Sequence, residues 1–248
     1  MAITDDLMKY ARPHGEKSPA REATGSEMSV PTPQKNLDLH GSAPDKHDIA
    51  LLLIDVINDF DFPGADQLLR CARPMARNLL RLKRRAYKAG VPVIYVNDNF
   101  GRWKSDFRRT LDHCSRYGRG RDVVKLLRPE EDDYFVLKPK HSGFFSSALD
   151  TLLRYLQTQT LILTGIAGNF CVLFTANDAY MRDFNLFVPS DCTVSNTKRE
   201  NDSALRLMKK FLKADTRRAS SIVLRPPACR DSQRHRRKNT TRKSSPDN

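Results

Sequence analysis

Three side chains that could perform covalent chemistry stand at or just after predicted strands. Asp55 follows the apolar run 49–54, Lys138 follows Tyr134–Leu137, and Cys171 lies shortly after Leu161–Leu163. Because the carboxyl ends of parallel strands meet at one edge of a sheet, where open α/β folds place their ligands, we expect these groups to converge. A thiol beside a base and a cation is an activated nucleophile. The three residues therefore indicate nucleophilic catalysis.

Cys171 occupies the turn between a predicted strand and a predicted helix. The small-residue segment 164–169 precedes it, and Val172, Ala176 and Ala179 follow at helical spacing. Unpaired N–H groups and the helix dipole at such a position favour a thiolate. The alternative is that Cys171 packs as a small hydrophobic residue.

The other two candidates also have alternatives. Asp55 could cap or brace the loop that follows its strand. Lys140 competes with Lys138, but the position of Lys138 directly after the strand favours Lys138.

Apolar runs and helical periodicity alternate along the chain, which predicts an α/β fold. Helices on both faces of a central, mostly parallel sheet make a three-layer α-β-α sandwich. The predicted strands are 49–54, 91–96, 134–137, 161–163 and 186–189, with 221–224 as a further candidate. The predicted helices are 74–89, one capped by Ser146 or Ser147 and running to Leu156, one from about Cys171, and 204–212.

Composition predicts one folded domain with two polar ends. The 248 residues are 39% hydrophobic, which suffices for one sizeable domain. We expect residues 1–46 to form a disordered or loosely packed extension, 47–225 the folded domain, and 226–248 a basic disordered tail. The five cysteines form no CxxC pair, and no apolar run is long enough to span a membrane. With no secretory signal at the start, a cytoplasmic location is expected.

Charge leaves the nature of the partner open. The formal net charge is +14, but no nucleic-acid-binding motif accompanies the basic tail, so we do not expect nucleic acid as a partner. Segment 104–132 could form a lid or a subunit contact. Basic residues of 101–128 favour an anionic substrate, or else form a solvated surface; they include Arg102, Arg108, Arg109, Arg116 and Arg119.

Three segments carry a family resemblance. LLLIDVINDF, KPKHSGFFSSALD and TGIAGNFCVLFTANDA occur in this order, and over residues 49–195 the chain resembles the isochorismatase-like cysteine hydrolase superfamily. The resemblance implies that Asp55, Lys138 and Cys171 form a catalytic triad. It also implies a six-stranded parallel sheet, frequent homo-oligomers and a cis peptide bond between Ile166 and Ala167. Backbone N–H groups of Ala167 and Cys171 would bind the oxyanion.

One departure from the family concerns metal. Nicotinamidases of the superfamily carry an Asp-x-His…His metal site after the second strand. This chain has Asn97-Asp98-Asn99-Phe100 there and no histidine until His113. We therefore expect neither a metal nor a cofactor.

Three residues are candidate substrate contacts. Asn99 and Trp103 stand in the segment after the second strand, and His141 follows Lys138. Trp103 could equally fill the core or form a lid, and His141 could be an exposed loop histidine.

Three functions remain open at this point. The first is hydrolysis of the C–N bond of a small amide, ureido or carbamoyl compound through a thioester. The second is an isochorismatase-type enol-ether hydrolase. The third is a non-catalytic scaffold whose basic tail binds nucleic acid or another acidic partner.

Overall fold

The computed structural model describes residues 46–100 and 106–225. Its six strands are β1 (Ile49–Ile54), β2 (Val93–Asp98), β3 (Tyr134–Lys138), β4 (Thr160–Ile166), β5 (Asn185–Phe187) and β6 (Thr193–Val194). Its six α-helices are α1 (Ala65–Lys88), α2 (Phe107–Arg116), α3 (Arg121–Leu126), α4 (Leu149–Tyr155), α5 (Leu173–Tyr180) and α6 (Lys198–Phe211).

The strands form a single parallel sheet with β1 at its centre. The order is β3-β2-β1-β4-β5, and β6 also pairs with β4. In register, Asp98 lies opposite Lys138 and Ile54 lies opposite Gly165. The carboxyl ends of β1 to β4 therefore share one edge of the sheet, as the sequence predicts.

Both faces of the sheet are covered. Leu51 and Leu53 of β1 pack with buried residues of α1, whereas Ala50, Leu52 and Ile54 pack with buried residues of α4, α5 and α6. Successive strand residues point to opposite faces, so a continuous apolar run can fill both cores. The predicted three-layer sandwich is confirmed.

The first helix is longer than predicted. It begins at Ala65, and Pro74, the predicted first residue, lies inside it. Proline removes one backbone donor and disfavours a helix interior, which made Pro74 resemble a helix start. Leu68, Leu69 and Ala72 are buried, and their burial maintains the helical turns before Pro74.

Two predictions near the C-terminal end were also wrong. α6 begins at Lys198 rather than at 204, with a capping box between Thr197 and Glu200. Segment 221–224 forms no strand; a 3₁₀ turn occupies Ala219–Ser221 instead. The guanidinium of Arg85 donates to the carbonyl oxygens of Ala219 and Ile222. These backbone acceptors are therefore satisfied by a side chain and not by a neighbouring strand.

Over residues 46–100 and 106–225, no helix combines the length and the apolar character that crossing a bilayer requires.

Candidate active site

The three predicted catalytic side chains meet at the carboxyl edge of the sheet. The Nζ of Lys138 lies 2.9 Å from Oδ2 of Asp55 and 3.6 Å from Sγ of Cys171. A side-chain hydrogen bond also joins Asp55 and Cys171. The ammonium group is fully buried, so its charge acts on the carboxylate and the thiol with little screening by water. A base, a cation and a nucleophile are thus in mutual contact.

Asp55 is held rigidly where β1 ends. Its N–H donates to the carbonyl of Val96 at 3.0 Å, and its φ of 51° lies in the left-handed region. Its Oδ1 accepts the backbone N–H of Asp98 at 2.7 Å, which leaves Oδ2 for Lys138. Hydrogen bonds to the backbone of the neighbouring strand β2 therefore orient the carboxylate.

A tight turn carries Cys171 from β4 to α5. Gly165 has a φ of 108°, and a Cβ added there would lie 2.0 Å from the carbonyl oxygen of Ile54, so only glycine fits. The Ile166–Ala167 bond is cis, as the family resemblance implies. A π-helical turn over Gly168–Val172 follows, and it points Cys171 toward Lys138.

Asp98 is a further member of the site that sequence reasoning placed in a loop. It is the last residue of β2, and its Oδ2 lies 3.4 Å from Nζ of Lys138. Its side chain is 30% exposed, in contrast to the 8% of Asp55. The signal available in the sequence was its strand-end position, the same signal that identified Lys138.

Burial dominates the electrostatics of the site. It raises the pKa of the Asp55 carboxyl, and the opposing effects of Lys138 and of the hydrogen bonds do not cancel it. Burial and the nearby Asp55 charge raise the pKa of Cys171 to about 12, against the lowering effect of Lys138. The thiol is therefore protonated at neutral pH, contrary to the thiolate expected from the helix N-terminus.

Lys138 remains charged over the same range. Burial lowers the pKa of its ammonium, but Asp55, Cys171 and Asp98 together raise it by more, so the pKa lies above its ordinary value. The resting site thus combines an ammonium with a neutral thiol.

A pocket of about 550 Å³ opens onto the sulfur atom. Asp55, Asp98, Ala167, Cys171 and His141 are among its lining residues. His141 is an exposed residue whose ring centroid lies 4.1 Å from that of Phe170. Ala167 is adjacent to the turn and lines the pocket, as an oxyanion-binding residue must.

The other two candidate substrate contacts are Asn99 and Trp103. Asn99 is buried, and its N–H donates to the carbonyl of Lys138 at 3.1 Å; it is not among the residues that line the pocket. Trp103 lies outside the described residues. No grouping of three or more His, Cys, Asp or Glu side chains suited to a metal ion occurs within 46–100 and 106–225.

The chain matches known proteins over most of this domain. The model of the isochorismatase domain matches residues 49–218. The uncharacterized isochorismatase family protein YaaI of Bacillus subtilis (strain 168) is 42% identical over 178 residues, which are 72% of this chain and 98% of YaaI. The ureidoacrylate amidohydrolase RutB of Serratia proteamaculans (strain 568) is 28% identical, covering 58% of this chain and 68% of RutB.

A solved structure agrees with this match. The isochorismatase-like hydrolase of Alkaliphilus metalliredigens superimposes with a TM-score of 0.57 at 26% identity, covering 71% of this chain and 94% of that chain. The domain match and the fold lead to one assignment: the chain belongs to the isochorismatase family and is an isochorismatase-family hydrolase.

Proposed function

We propose that this hydrolase cleaves the C–N bond of a small amide, ureido or carbamoyl compound, with Cys171 as the nucleophile. The observation that carries the proposal is the contact of Lys138 Nζ with both Asp55, at 2.9 Å, and Cys171 Sγ, at 3.6 Å, beside a pocket. A thiol that is hydrogen-bonded to a carboxylate and lies next to a cation is suited to attack on a carbonyl carbon.

In the first step, Asp55 accepts the thiol proton as the sulfur attacks the carbonyl carbon. A carboxylate is suited to this role because its hydrogen bond to Cys171 already exists in the resting site. Lys138 stabilises the negative charge that moves from Asp55 to sulfur. The N–H groups of Ala167 and Cys171 bind the oxyanion that forms.

In the second step, the tetrahedral intermediate collapses to a thioester. The C–N bond breaks, and Asp55 returns the proton to the departing nitrogen, so that ammonia or an amine leaves. In the third step, Asp55 accepts a proton from water as the water oxygen attacks the thioester. The C–S bond then breaks, Asp55 returns the proton to the sulfur of Cys171, and the acid product leaves.

The named activities of relatives support amides as the substrate class. RutB is an ureidoacrylate amidohydrolase by name, and its identity of 28% to this chain is compatible with a different substrate of the same chemical class. The substrate proposed here is therefore defined by its scissile C–N bond.

The direct experiment is ammonia release from a panel of primary amides and ureido compounds. We expect release by the wild type and a loss of about a thousandfold or more in Cys171→Ala, because no other group replaces the sulfur. Cys71→Ala is the matched control, since Cys71 is a half-buried residue of α1 outside the pocket. Turnover by Cys171→Ala at the wild-type rate would contradict the proposal; cleavage of an enol ether without ammonia release would favour the isochorismatase-type alternative.

A further inference from the structure

The described lining of the pocket is acidic, whereas the whole chain carries a formal net charge of +14. The residues lining it include three carboxylates, of Asp55, Asp98 and Glu200, and no Lys or Arg from the described part of the chain. The ammonium of Lys138 lies behind the lining, fully buried, and contacts both Asp55 and Asp98. Among the described residues, one cation thus faces two carboxylates, and this part of the pocket presents an excess of negative charge.

Of the two carboxylates that contact Lys138, that of Asp98 is the one that a ligand can approach. Its side chain is 30% exposed, whereas that of Asp55 is 8% exposed. Its separation from Lys138 is also the longer of the two, at 3.4 Å against 2.9 Å. Asp98 is therefore less neutralised than Asp55, and its field extends into the pocket.

Aromatic side chains surround the same opening. Phe62, Phe100 and Phe170 line the pocket and are 39%, 39% and 45% exposed. Exposed aromatic faces bind planar or apolar groups, and they attract cations through the ring quadrupole. The aromatic wall and the carboxylates thus favour the same kinds of ligand.

We propose that the pocket selects uncharged or cationic amides that carry a planar or apolar group, and that Asp98 sets this charge preference. The substrate part of this proposal rests on the proposed amidohydrolase function, whereas the charge preference does not. It differs from the anionic substrate that the basic residues of 101–128 favour in the sequence. Those basic residues include Arg119, which is paired with Asp66 on the exterior.

The charge preference can be measured on Cys171 without any turnover. Methanethiosulfonates transfer a thioalkyl group to a thiolate with release of methanesulfinate, and they exist in trimethylammonium and sulfonate forms. We expect the cationic reagent to be favoured over the anionic one by about tenfold or more at Cys171, relative to the same ratio for N-acetylcysteine amide. Rates are read from the mass of the peptide that contains Cys171. A relative ratio of one or less would overturn the proposal.

Two variants assign the preference to Asp98. Asp98→Asn keeps the backbone N–H that Asp55 accepts, and it should lower the cation-to-anion ratio about tenfold. A change in thiol reactivity alone would alter both rates together and leave the ratio fixed. Asp122→Asn removes the same charge from an exposed pair with Arg73 and should leave the ratio unchanged. A ratio unaffected by Asp98→Asn would refute the role of Asp98, and the wild-type ratio decides the preference if that variant does not fold.

A matched pair of amides separates this inference from the proposed function. Para-(trimethylammonio)benzamide and para-tert-butylbenzamide have the same shape and differ in charge, and para-carboxybenzamide supplies the anion. We expect kcat/KM for the anionic amide to be lower than for the other two amides by about tenfold or more. The difference in kcat/KM should be smaller in Asp98→Asn. Fastest hydrolysis of the anion would overturn the inference while supporting amide hydrolysis. Hydrolysis of none of the amides would count against the proposed function, and the thiol ratio would still decide the charge preference.

Discussion

At the scale of single residues, the site pairs a buried carboxyl whose pKa is raised with a thiol whose pKa is about 12. Both shifts have burial as their largest cause. A thiol of this kind is inert until a base removes its proton. Asp55 is the candidate base, because it is hydrogen-bonded to the thiol. Reactivity therefore depends on proton transfer to Asp55 and on stabilisation of the resulting thiolate by Lys138.

The pH dependence of kcat/KM follows from these directions. Asp55 must be ionised to accept the proton, and its pKa lies above the ordinary 3.8, so activity should fall as the pH drops through an apparent pKa above that value. The pKa of Lys138 lies above 10.5, so we expect no alkaline decline up to about pH 10. The measurement is a pH–rate profile with buffers of constant ionic strength.

A spectroscopic control accompanies this profile. The ultraviolet absorbance of a thiolate, taken as the difference between the wild type and Cys171→Ala, should be absent at neutral pH. A clear thiolate signal at pH 7 would contradict a protonated Cys171, and activity that is still maximal at about pH 4 would contradict a raised pKa of Asp55.

At the scale of elements, the site depends on how closely β4 approaches β1. Ile54, next to Asp55, and Gly165, at the turn before Cys171, are partners in register. Any side chain at Gly165 would push these two strand ends apart. The spacing between the Asp55 carboxylate and the Cys171 sulfur is thus set by a glycine.

Gly165→Ala should therefore destabilise the protein by more than about 3 kcal/mol, because it combines a φ of 108° with a contact of 2.0 Å to backbone. Gly64→Ala is the matched control. Its φ of 82° carries strain of about 1–2 kcal/mol, but the nearest atom to its added Cβ is 3.6 Å away. Urea denaturation measures the free energy of unfolding of both variants. Equal destabilisation by the two variants would show that the close approach of β1 and β4 is unimportant.

A buried ion pair connects α1 to the segment before β3. The Nζ of Lys83 lies 3.0 Å from Oδ2 of Asp133, and each side chain is 2% exposed. Lys83 also donates to the hydroxyl of Tyr95 and to the carbonyl of Arg128, both at 2.8 Å. These contacts hold the segment before β3 against the first helix. They therefore help to fix the position of Lys138, the last residue of β3.

Lys83→Met should lower the free energy of unfolding by about 3–5 kcal/mol, since it leaves the buried carboxylate of Asp133 without its cation. Arg73→Met removes one partner of the pair with Asp122, whose side chains are 47% and 50% exposed, and should cost about 0–1 kcal/mol. Denaturant midpoints of the two variants give the comparison. Similar losses in both would show that burial of the Lys83 pair contributes nothing.

At the scale of the whole molecule, the sequence predicts the sheet and the convergence of Asp55, Lys138 and Cys171. Each of the three stands at or near the end of an apolar run, and a parallel sheet places such ends together. The strand-end position of Asp98 is visible in the sequence, but its contact with Lys138 is not, because the 3.4 Å distance depends on the register of the neighbouring strands β2 and β3. The protonated state of Cys171 could not be predicted either, since it depends on how deeply the folded chain buries the sulfur.

Net charge is a further property that sequence and structure describe differently. The chain carries +14, yet the described lining of the pocket is acidic. Interactions between exposed charges are screened over about 8–10 Å at physiological salt, so the local carboxylates govern a ligand inside the pocket. Total charge therefore does not indicate the charge of the substrate.

In the proposed mechanism, Cys171 forms a thioester with the acyl part of an amide substrate. This thioester can be detected by acid-quenched turnover followed by mass spectrometry of the peptide that contains Cys171. We expect this peptide to gain the mass of the substrate less ammonia, and hydroxylamine should remove the added group. The Cys171→Ala variant should show no such addition and release no ammonia. An acyl group on another residue, or undiminished ammonia release by Cys171→Ala, would contradict this mechanism.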